Sequence, residues 1–379
     1  MTPPLGVYIH WPYCARICPY CDFNVVRDRG RRDEPLALVQ AIATDLETQR
    51  ALTGPRSLAS IFFGGGTPSL MDPAWVERLI GQVMSLWTPE GPVEITLEAN
   101  PTDAEAERFA AFAAAGVDRL SLGAQSFDDE ALTFLGRNHG AAEALRAAGR
   151  AADAFPRRSI DLIYARPGQT RAAWVRDLET AMAFGPEHLS PYQLTIESGT
   201  AFDRAVRRGR WRPVDPDLAA TLYDVTQSVL EGHGLQAYEV SNHAKGEAAR
   251  SRHNLLYWRG WDYVGVGPGA HGRLTLAEGR LATRAAPAIG DYRRRIDTLG
   301  TGWDMRDRLS AVEAAEERLL TGLRTLEGVD LAELTPLSVD ARLPDLVCAG
   351  LISIEAGRLL ATPAGRLVLD RVTAELCGG

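Results

Sequence analysis

The feature that most constrains the fold is a regular alternation of short apolar segments with longer segments of helical periodicity. Six short segments have the length and composition of strands: residues 7–11, 60–63, 93–98, 119–123, 160–164 and 188–194. Apolar residues recur at spacings of three and four in the intervening segments 36–52, 73–86, 103–115, 130–135 and 172–184. This alternation predicts βαβ units and an α/β fold, in which a parallel sheet forms a partial or complete TIM-like (β/α) barrel.

The pattern changes near residue 300. Helical segments at 310–323 and 343–349 precede two short strands, 351–354 and 358–362, and a helical segment at 363–376 follows them. Helices followed by a hairpin predict a small winged-helix-like domain at the C-terminus. We therefore expect two domains, a barrel with a β-rich extension over residues 1–300 and a C-terminal domain over residues 301–379, in a chain long enough for both.

Charge and hydropathy exclude several classes of protein. The net charge of −8 argues against a general nucleic-acid binder, since such proteins carry basic faces. No apolar run reaches the roughly 18 residues that a membrane-spanning helix needs. Residues 1–5 lack the charged and apolar regions of a signal peptide. These observations predict a cytoplasmic protein that binds no nucleic acid.

Three of the five cysteines, Cys14, Cys18 and Cys21, form a C-x3-C-x2-C motif just after the first predicted strand. Closely spaced thiolates on one loop can hold an iron–sulfur cluster, and three of them leave one iron open. An open coordination position is what allows a metal site to be catalytic. Structural zinc is the alternative, with Asp22 or His10 as a fourth ligand.

The two remaining cysteines stand alone. Cys348 lies in an apolar patch and is predicted to be a small buried side chain, whereas Cys377 lies beside the terminal glycines and is predicted to be exposed. Five cysteines in so large a chain do not suggest a disulfide framework.

Further polar or glycine residues lie at the ends of predicted strands, where barrels place their chemistry. A run of three glycines and Thr67 follows the second strand, and the glycine N–H groups could bind polar ligand atoms. Glu98 closes the third strand, where its carboxylate could accept hydrogen bonds from ribose hydroxyls or an ammonium group. Arg137 could pair with a ligand carboxylate through its planar guanidinium. Each of these residues, taken singly, also fits a structural role.

The ordered motifs YIHWPYC at 8–14, GGGTP at 64–68, EANP at 98–101 and IDLIY at 160–164 resemble the oxygen-independent coproporphyrinogen III oxidase family of radical S-adenosylmethionine (SAM) proteins. The resemblance covers nearly the whole chain and implies a radical SAM barrel. It implies that the three cysteines of the motif hold a [4Fe–4S] cluster whose open iron is chelated by SAM. The SAM contacts that it implies are Tyr8, Gly65, Gly66, Thr67, Glu98, Gln125, Arg137 and Asp161, with Tyr20 near the adenine.

The family contains both an oxidase branch and a heme-chaperone branch. In the oxidase branch the cluster motif continues to a fourth cysteine two residues past the third, and an N-terminal extension precedes the first strand. Here Phe23 occupies the position of that cysteine, and the chain begins a few residues before the first strand. The chaperone branch is similar to this chain in the sequence CPYCDFN and in an H-N-x-x-Y-W motif, which starts at His253.

The resemblance associates the H-N-x-x-Y-W motif with heme. His253 is the predicted heme contact, because a neutral imidazole is a good axial ligand, and Tyr257 and Trp258 could pack on a porphyrin face. A second candidate ligand is His271. On the residues alone, a hydrogen-bonded histidine and plain core packing of the two aromatic residues remain open alternatives.

The function that the resemblance implies is therefore heme binding, with covalent attachment left open, and delivery of heme to acceptor hemoproteins. Respiratory and membrane-associated hemoproteins are the expected acceptors, and a homodimer is one option for the oligomeric state. The alternative function is oxygen-independent oxidation of coproporphyrinogen III, which the missing fourth cysteine disfavours.

Overall fold

The structure is a computed structural model that describes residues 3–30 and 33–378, so residues 1–2, 31–32 and 379 of the predicted domains lie outside it. The strands are β1 Leu5–Trp11, β2 Tyr13–Cys14, β3 Val26–Arg27, β4 Leu58–Gly65, β5 Glu94–Ala99, β6 Arg119–Gln125, β7 Arg157–Tyr164, β8 His188–Gln193, β9 Gln236–Ala237, β10 His243–Ala244, β11 Asp262–Val266, β12 His271–Leu276, β13 Gly279–Ala285, β14 Trp303–Arg308, β15 Val329–Asp330, β16 Ile352–Glu355 and β17 Arg358–Ala361.

The helices are α1 Asp33–Thr53, α2 Pro73–Leu86, α3 Asp103–Ala106, α4 Phe109–Ala114, α5 Asp129–Phe134, α6 Ala141–Ala154, α7 Arg171–Met182, α8 Ala201–Arg207, α9 Pro216–Gly232, α10 Arg252–Trp258, α11 Ile289–Leu299, α12 Ala311–Gly322, α13 Leu343–Cys348, α14 Pro363–Leu367 and α15 Leu369–Cys377. Short 3₁₀ helices cover Pro68–Leu70, Glu247–Ala249, Leu331–Leu337 and Val339–Ala341.

One twelve-stranded sheet forms the centre of the molecule. Its middle strands run parallel in the order β11-β1-β4-β5-β6-β7-β8. Beyond β11 the sheet continues with antiparallel β12, β13 and β14, and beyond β8 with antiparallel β10 and β9. The strand order begins at β14 and ends at β9, so the sheet is open and the barrel is partial.

The predicted α/β fold is confirmed, and all six predicted strands are present as β1, β4, β5, β6, β7 and β8. The sequence interpretation missed α6, whose buried face consists of alanines: Ala144, Ala147, Ala148 and Ala151. A face of small side chains gives a weak apolar periodicity, although alanine itself favours helix. The helix predicted at 103–115 is divided into α3 and α4.

Alternation along the parallel strands separates a packing face from a polar face. In β6, Leu120, Leu122 and Ala124 belong to the main apolar core. Ser121 and Gln125, on the opposite face, line a cavity. The same alternation continues in β7 and β8, so the concave side of the sheet carries polar side chains while the convex side packs on helices.

The C-terminal segment has its own apolar core, which runs from Leu319 to Leu376. The elements α12, β15, α13, β16 and β17 follow one another in the order of a winged helix, and β17 lies between β15 and β16. Because β14 pairs with β13 in the main sheet, we propose that this domain begins at α12 and not at residue 301.

Three sequence expectations for this segment are wrong. The helix expected over 363–376 is divided into α14 and α15. Cys348, the last residue of α13, is exposed and not buried, because it lies on the side of a short helix that faces away from the core. Cys377, expected to be exposed, is partly buried, because α15 packs it against the C-terminal core.

Candidate cluster and cofactor site

A cavity of about 930 Å³ opens at the C-terminal ends of the parallel strands. It brings together all of the predicted cluster and SAM residues except Tyr8. The ones that line it are Cys14, Cys18, Tyr20, Cys21, Gly65, Gly66, Thr67, Glu98, Gln125, Arg137 and Asp161. The C-terminal domain reaches the same cavity through the α14–α15 corner at Leu367 and Val368.

Of the three motif cysteines, Cys14 ends the short strand β2. Cys18 and Cys21 lie on the loop that follows it, residues 15–25, which we call the cluster loop. Cys14 is buried and its Sγ accepts a hydrogen bond from the Thr67 hydroxyl at 3.5 Å. Cys18 Sγ accepts one from Arg137 Nη1 at 3.3 Å. Burial raises the pKa of the Cys21 thiol to about 11 and also raises the pKa of the Cys14 thiol. A positively charged metal centre would offset this, since metal ligation requires the thiolates.

The donor set fits an iron–sulfur cluster. Within residues 3–30 and 33–378, no three cysteine, histidine or acidic side chains converge on one point as ligands of a single ion do. A cubane does not need such convergence, because each thiolate binds a different iron. Three thiols that line one cavity are compatible with this arrangement.

Arg137 links the cluster loop to the strand ends. Its Nη2 donates to Asn100 Oδ1 at 2.6 Å and to the Gly123 carbonyl at 2.9 Å. Its Nη1 donates to the Tyr20 hydroxyl oxygen at 3.3 Å as well as to Cys18. The Nε is buried and has no hydrogen-bond partner in the described part of the chain. A ligand carboxylate beside the cluster loop would satisfy this donor.

Glu98 and Asp161 are buried carboxyl groups on the concave face. Burial, with the nearby charge of Asp161, raises the pKa of Glu98 to about 8. Burial likewise raises the pKa of Asp161, although hydroxyls of Ser121 and Ser159 donate to it at 2.9 and 3.1 Å. A cationic ligand in the cavity would favour ionisation of both groups, which is the behaviour expected of a ligand site.

The N–H groups of the glycine motif have partners within the protein. The N–H of Gly65 donates to Glu98 Oε2 at 3.2 Å, and the N–H of Gly66 donates to the Trp11 carbonyl at 2.7 Å. These groups are therefore engaged inside the protein. A Cβ on Gly65 would meet the His10 ring at 2.5 Å, and one on Gly66 would meet the Pro12 carbonyl at 2.8 Å. The glycines are needed for the close approach of the loop to the end of β1.

Gln125 and Tyr8 differ in their relation to the cavity. Gln125 lines it at the end of β6 with φ of 66°, a left-handed conformation that is uncommon for a residue other than glycine. Tyr8 is not among the residues that line it and instead reaches a second cavity, so its contact with SAM stays a prediction. Its hydroxyl lies 3.0 Å from His10 Nδ1, and its ring packs beside those of Phe62 and His253.

His253 also lies outside the cavity. It is 1% exposed, on α10, with Nδ1 at 2.8 Å from Ser60 Oγ and Nε2 at 2.7 Å from the Tyr257 hydroxyl. A neutral imidazole has one donor and one acceptor nitrogen, and both are engaged here. The predicted heme contact by His253 is therefore corrected: its position is that of a hydrogen-bonded core histidine, and neither nitrogen is free for iron. Tyr257 and Trp258 instead reach a second cavity.

We expect His253→Ala to lower the free energy of unfolding by about 2–4 kcal/mol, because it removes two buried hydrogen bonds and leaves a void. Burial lowers the pKa of His253 to about 3. Its contribution to stability is therefore complete above about pH 6.5 and lost as the pH falls toward 3. Chemical denaturation at several pH values should show a weaker acid dependence in the variant than in the wild type. A variant with the wild-type stability and the wild-type acid dependence would contradict this role.

The sequence interpretation missed two groups of cavity residues. Asn100 donates from Nδ2 to the Thr67 hydroxyl at 3.0 Å and accepts from Arg137, so it connects two predicted contacts. Ser159, His188 and Ser190 form a hydrogen-bonded floor below Asp161. The signal that could have revealed the second group is a polar residue at every second position of a predicted strand. A strand that is buried on both faces is otherwise apolar.

Comparison with known proteins agrees with this architecture. Residues 8–181 match the radical SAM superfamily, and residues 309–368 match the HemN C-terminal domain. The heme chaperone HemW of Escherichia coli is 42% identical over 285 residues, which cover 74% of this chain and 72% of that protein. The chain belongs to the radical SAM family that includes HemW.

Two further comparisons extend over most of the chain. The mitochondrial radical S-adenosyl methionine domain-containing protein 1 of Mus musculus is 38% identical over 386 residues, covering 98% of this chain and 87% of that protein. The structure of E. coli coproporphyrinogen III oxidase (HemN), a radical SAM enzyme, aligns with a TM-score of 0.82 at 20% identity, covering 100% of this chain and 91% of that one. This likeness shows the shared fold. In the described residues, no helix is long and apolar enough to span a membrane.

Proposed function

We propose that this protein is a heme chaperone that carries a [4Fe–4S] cluster and SAM. The observation that carries the proposal is the similarity to the heme chaperone HemW of E. coli. Phe23 is a second support, because the oxidase branch of the family has a fourth cysteine at this position. Phe23 is 62% exposed, so this position offers an apolar surface beside the cluster loop in place of a thiol.

We assign the cluster to Cys14, Cys18 and Cys21, and SAM to the remainder of the cavity that they line. When bound, the cluster would supply one electron to SAM. Arg137 would hold the SAM carboxylate through its free Nε while it donates to Cys18 Sγ. Glu98 would accept hydrogen bonds from the SAM ammonium or ribose, and Asp161 would add a second negative charge. Tyr20 would pack near the adenine.

Heme binding is tested by a titration of the cluster-reconstituted protein with heme under anaerobic conditions. We expect a shift of the Soret band that saturates at a fixed heme-to-protein ratio. Absence of any shift would contradict the proposal. A denaturing gel stained for heme would show in the same samples whether the attachment is covalent.

The alternative function, oxidation of coproporphyrinogen III, is favoured by one observation, the HemN-like fold over the whole chain. It is tested by anaerobic incubation of the reduced, reconstituted protein with SAM and coproporphyrinogen III. We expect no protoporphyrinogen, since the chain has Phe23 where that branch has a cysteine. Formation of protoporphyrinogen would establish the oxidase instead.

We further propose that the protein acts in the cytoplasm and delivers heme to acceptor hemoproteins, including membrane-associated respiratory ones, and that two copies can associate. The net charge of −8 favours such protein partners over nucleic acid. Sedimentation of the heme-free and heme-loaded forms would show whether a dimer forms and whether heme changes it.

A further inference from the structure

A second cavity, also of about 930 Å³, lies on the concave side of the sheet between the strands β11–β13 and helix α12. It is separate from the cluster cavity, but Asp22 and Phe23 line both. Its volume falls near the top of the range of about 300–1,000 Å³ that small-molecule sites occupy, which suits a ligand the size of a porphyrin. Of the residues that the family resemblance implies for the cluster and SAM, Tyr8 is the one that lines this space.

His271, the first residue of β12, distinguishes this cavity. The chain has seven histidines. Six of them have a ring nitrogen at hydrogen-bond distance from another residue: His10, His139, His188, His233, His243 and His253. His271 has none among the described residues and is exposed to the cavity. Burial and the charge of Arg273 lower its pKa, which favours the neutral imidazole that binds a metal.

Most of the apolar residues that line the cavity are aromatic. The rings of Tyr257 and Tyr263 pack edge to face with centroids 4.5 Å apart. Phe23 covers the side next to the cluster loop, and Leu320 of α12 is 51% exposed on the opposite side. Flat aromatic and aliphatic walls of this kind suit the face of a large conjugated ring.

The charges around the cavity would orient the carboxylates of such a ligand. Arg284 of β13 lies directly opposite His271 in the antiparallel register and is exposed. It donates to Asp304 from Nε and Nη2, both at 3.0 Å, which leaves Nη1 for another carboxylate. Helix α12 instead presents Glu313 and Glu316, whereas its Glu317 is paired with Arg273 and Arg280 of the strands. A ligand carboxylate would therefore be attracted to the strand side and repelled from the helix side.

From these observations we infer that the second cavity is the heme site, with His271 as the axial ligand of the iron, Tyr257 and Tyr263 against the porphyrin, and Arg284 at a propionate. This inference rests on the proposed heme binding and names its location. It places heme beside the cluster loop, with Phe23 as the shared wall, and outside the cavity that SAM would occupy. The H-N-x-x-Y-W motif then contributes through Tyr257 and not through its histidine.

The test is a heme titration of cluster-reconstituted wild type, His271→Ala and His233→Ala, with the cysteines occupied so that free thiolates do not bind heme. His233 is a matched control, because it lies on the surface at the end of α9 and pairs with Glu179. In His271→Ala we expect altered Soret and spin-state spectra and about tenfold or greater loss of heme affinity. Removing only the hydrogen-bond partner of a metal-ligating histidine already lowers metal affinity by about tenfold or more, and here the ligand itself is removed. Free imidazole should restore the wild-type bands.

A second variant, Leu320→Trp, places bulk in the cavity without touching the imidazole. We expect weaker heme binding with the wild-type band positions, because the ligand is retained while the space shrinks. Wild-type bands and affinity in His271→Ala would overturn this site and leave the proposed function standing. A wild-type protein with no Soret shift would overturn heme binding itself, so the two failures are distinguishable.

Discussion

Cys18→Ser should reconstitute with almost no iron, whereas the wild type should take up about four iron atoms and four sulfides per chain. Serine cannot replace the thiolate, and two remaining cysteines cannot hold the cubane against loss to solvent. The change also leaves Arg137 Nη1 without its sulfur acceptor at 3.3 Å. We therefore expect reductive cleavage of SAM, measured as 5′-deoxyadenosine, to fall to the background of protein without cluster.

Cys348→Ser is the matched control for this experiment, because Cys348 is an exposed cysteine at the end of α13, outside the cluster cavity. It should retain the full iron and sulfide content. Full iron in Cys18→Ser would contradict the assignment of that ligand. One zinc per wild-type chain, with no iron or sulfide after anaerobic reconstitution, would support the structural zinc alternative.

Glu98→Gln should stabilise the ligand-free protein and weaken its binding of SAM. Burial and Asp161 raise the pKa of Glu98 to about 8, above the value of about 4.5 expected in the unfolded chain. The folded state thus binds the proton more tightly, and the free energy of unfolding falls as the pH rises from 4.5 to 8. The amide removes this effect, so the variant should be more stable than the wild type by roughly 2–4 kcal/mol at pH 8 and nearly equal to it below pH 4.5.

Chemical denaturation at pH 4.5 and pH 8 measures the first effect, and calorimetric titration of the reconstituted protein with SAM measures the second. We expect about tenfold weaker SAM binding, because a charge-assisted hydrogen bond becomes a neutral one. Glu90→Gln, at an exposed position before β5, should change neither quantity. A Glu98→Gln protein with the wild-type pH dependence of stability would contradict this account, because the raised pKa of Glu98 would then not cause that dependence.

The parallel sheet and the place of the site could be predicted from the sequence because they depend on local patterns. Strand–helix alternation fixed the order of βαβ units, and that order gathers the strand ends at one edge, where Cys14, Glu98 and Asp161 meet. The antiparallel extension β12–β14 was not predicted strand by strand. Its strands are rich in arginine and threonine, so their apolar signal is weak.

The roles of individual side chains were harder to predict, because they depend on what tertiary packing places beside them. Gly65 and Gly66 have the pattern of a ligand-binding loop, yet their N–H groups are engaged by Glu98 and Trp11. His253 belongs to a motif associated with heme, yet Ser60 and Tyr257 engage both of its nitrogens. No local pattern reveals that a side chain 193 residues away in sequence supplies a hydrogen bond.

The most direct test of the central claim is the rate at which the heme-loaded protein transfers heme to a heme-free respiratory hemoprotein of the same organism. A chaperone that hands heme over in a complex predicts an observed rate that rises with the concentration of the loaded protein and exceeds the rate of heme release to a scavenger. A rate that equals spontaneous release and is independent of that concentration would contradict the proposed function, since the protein would then only store heme.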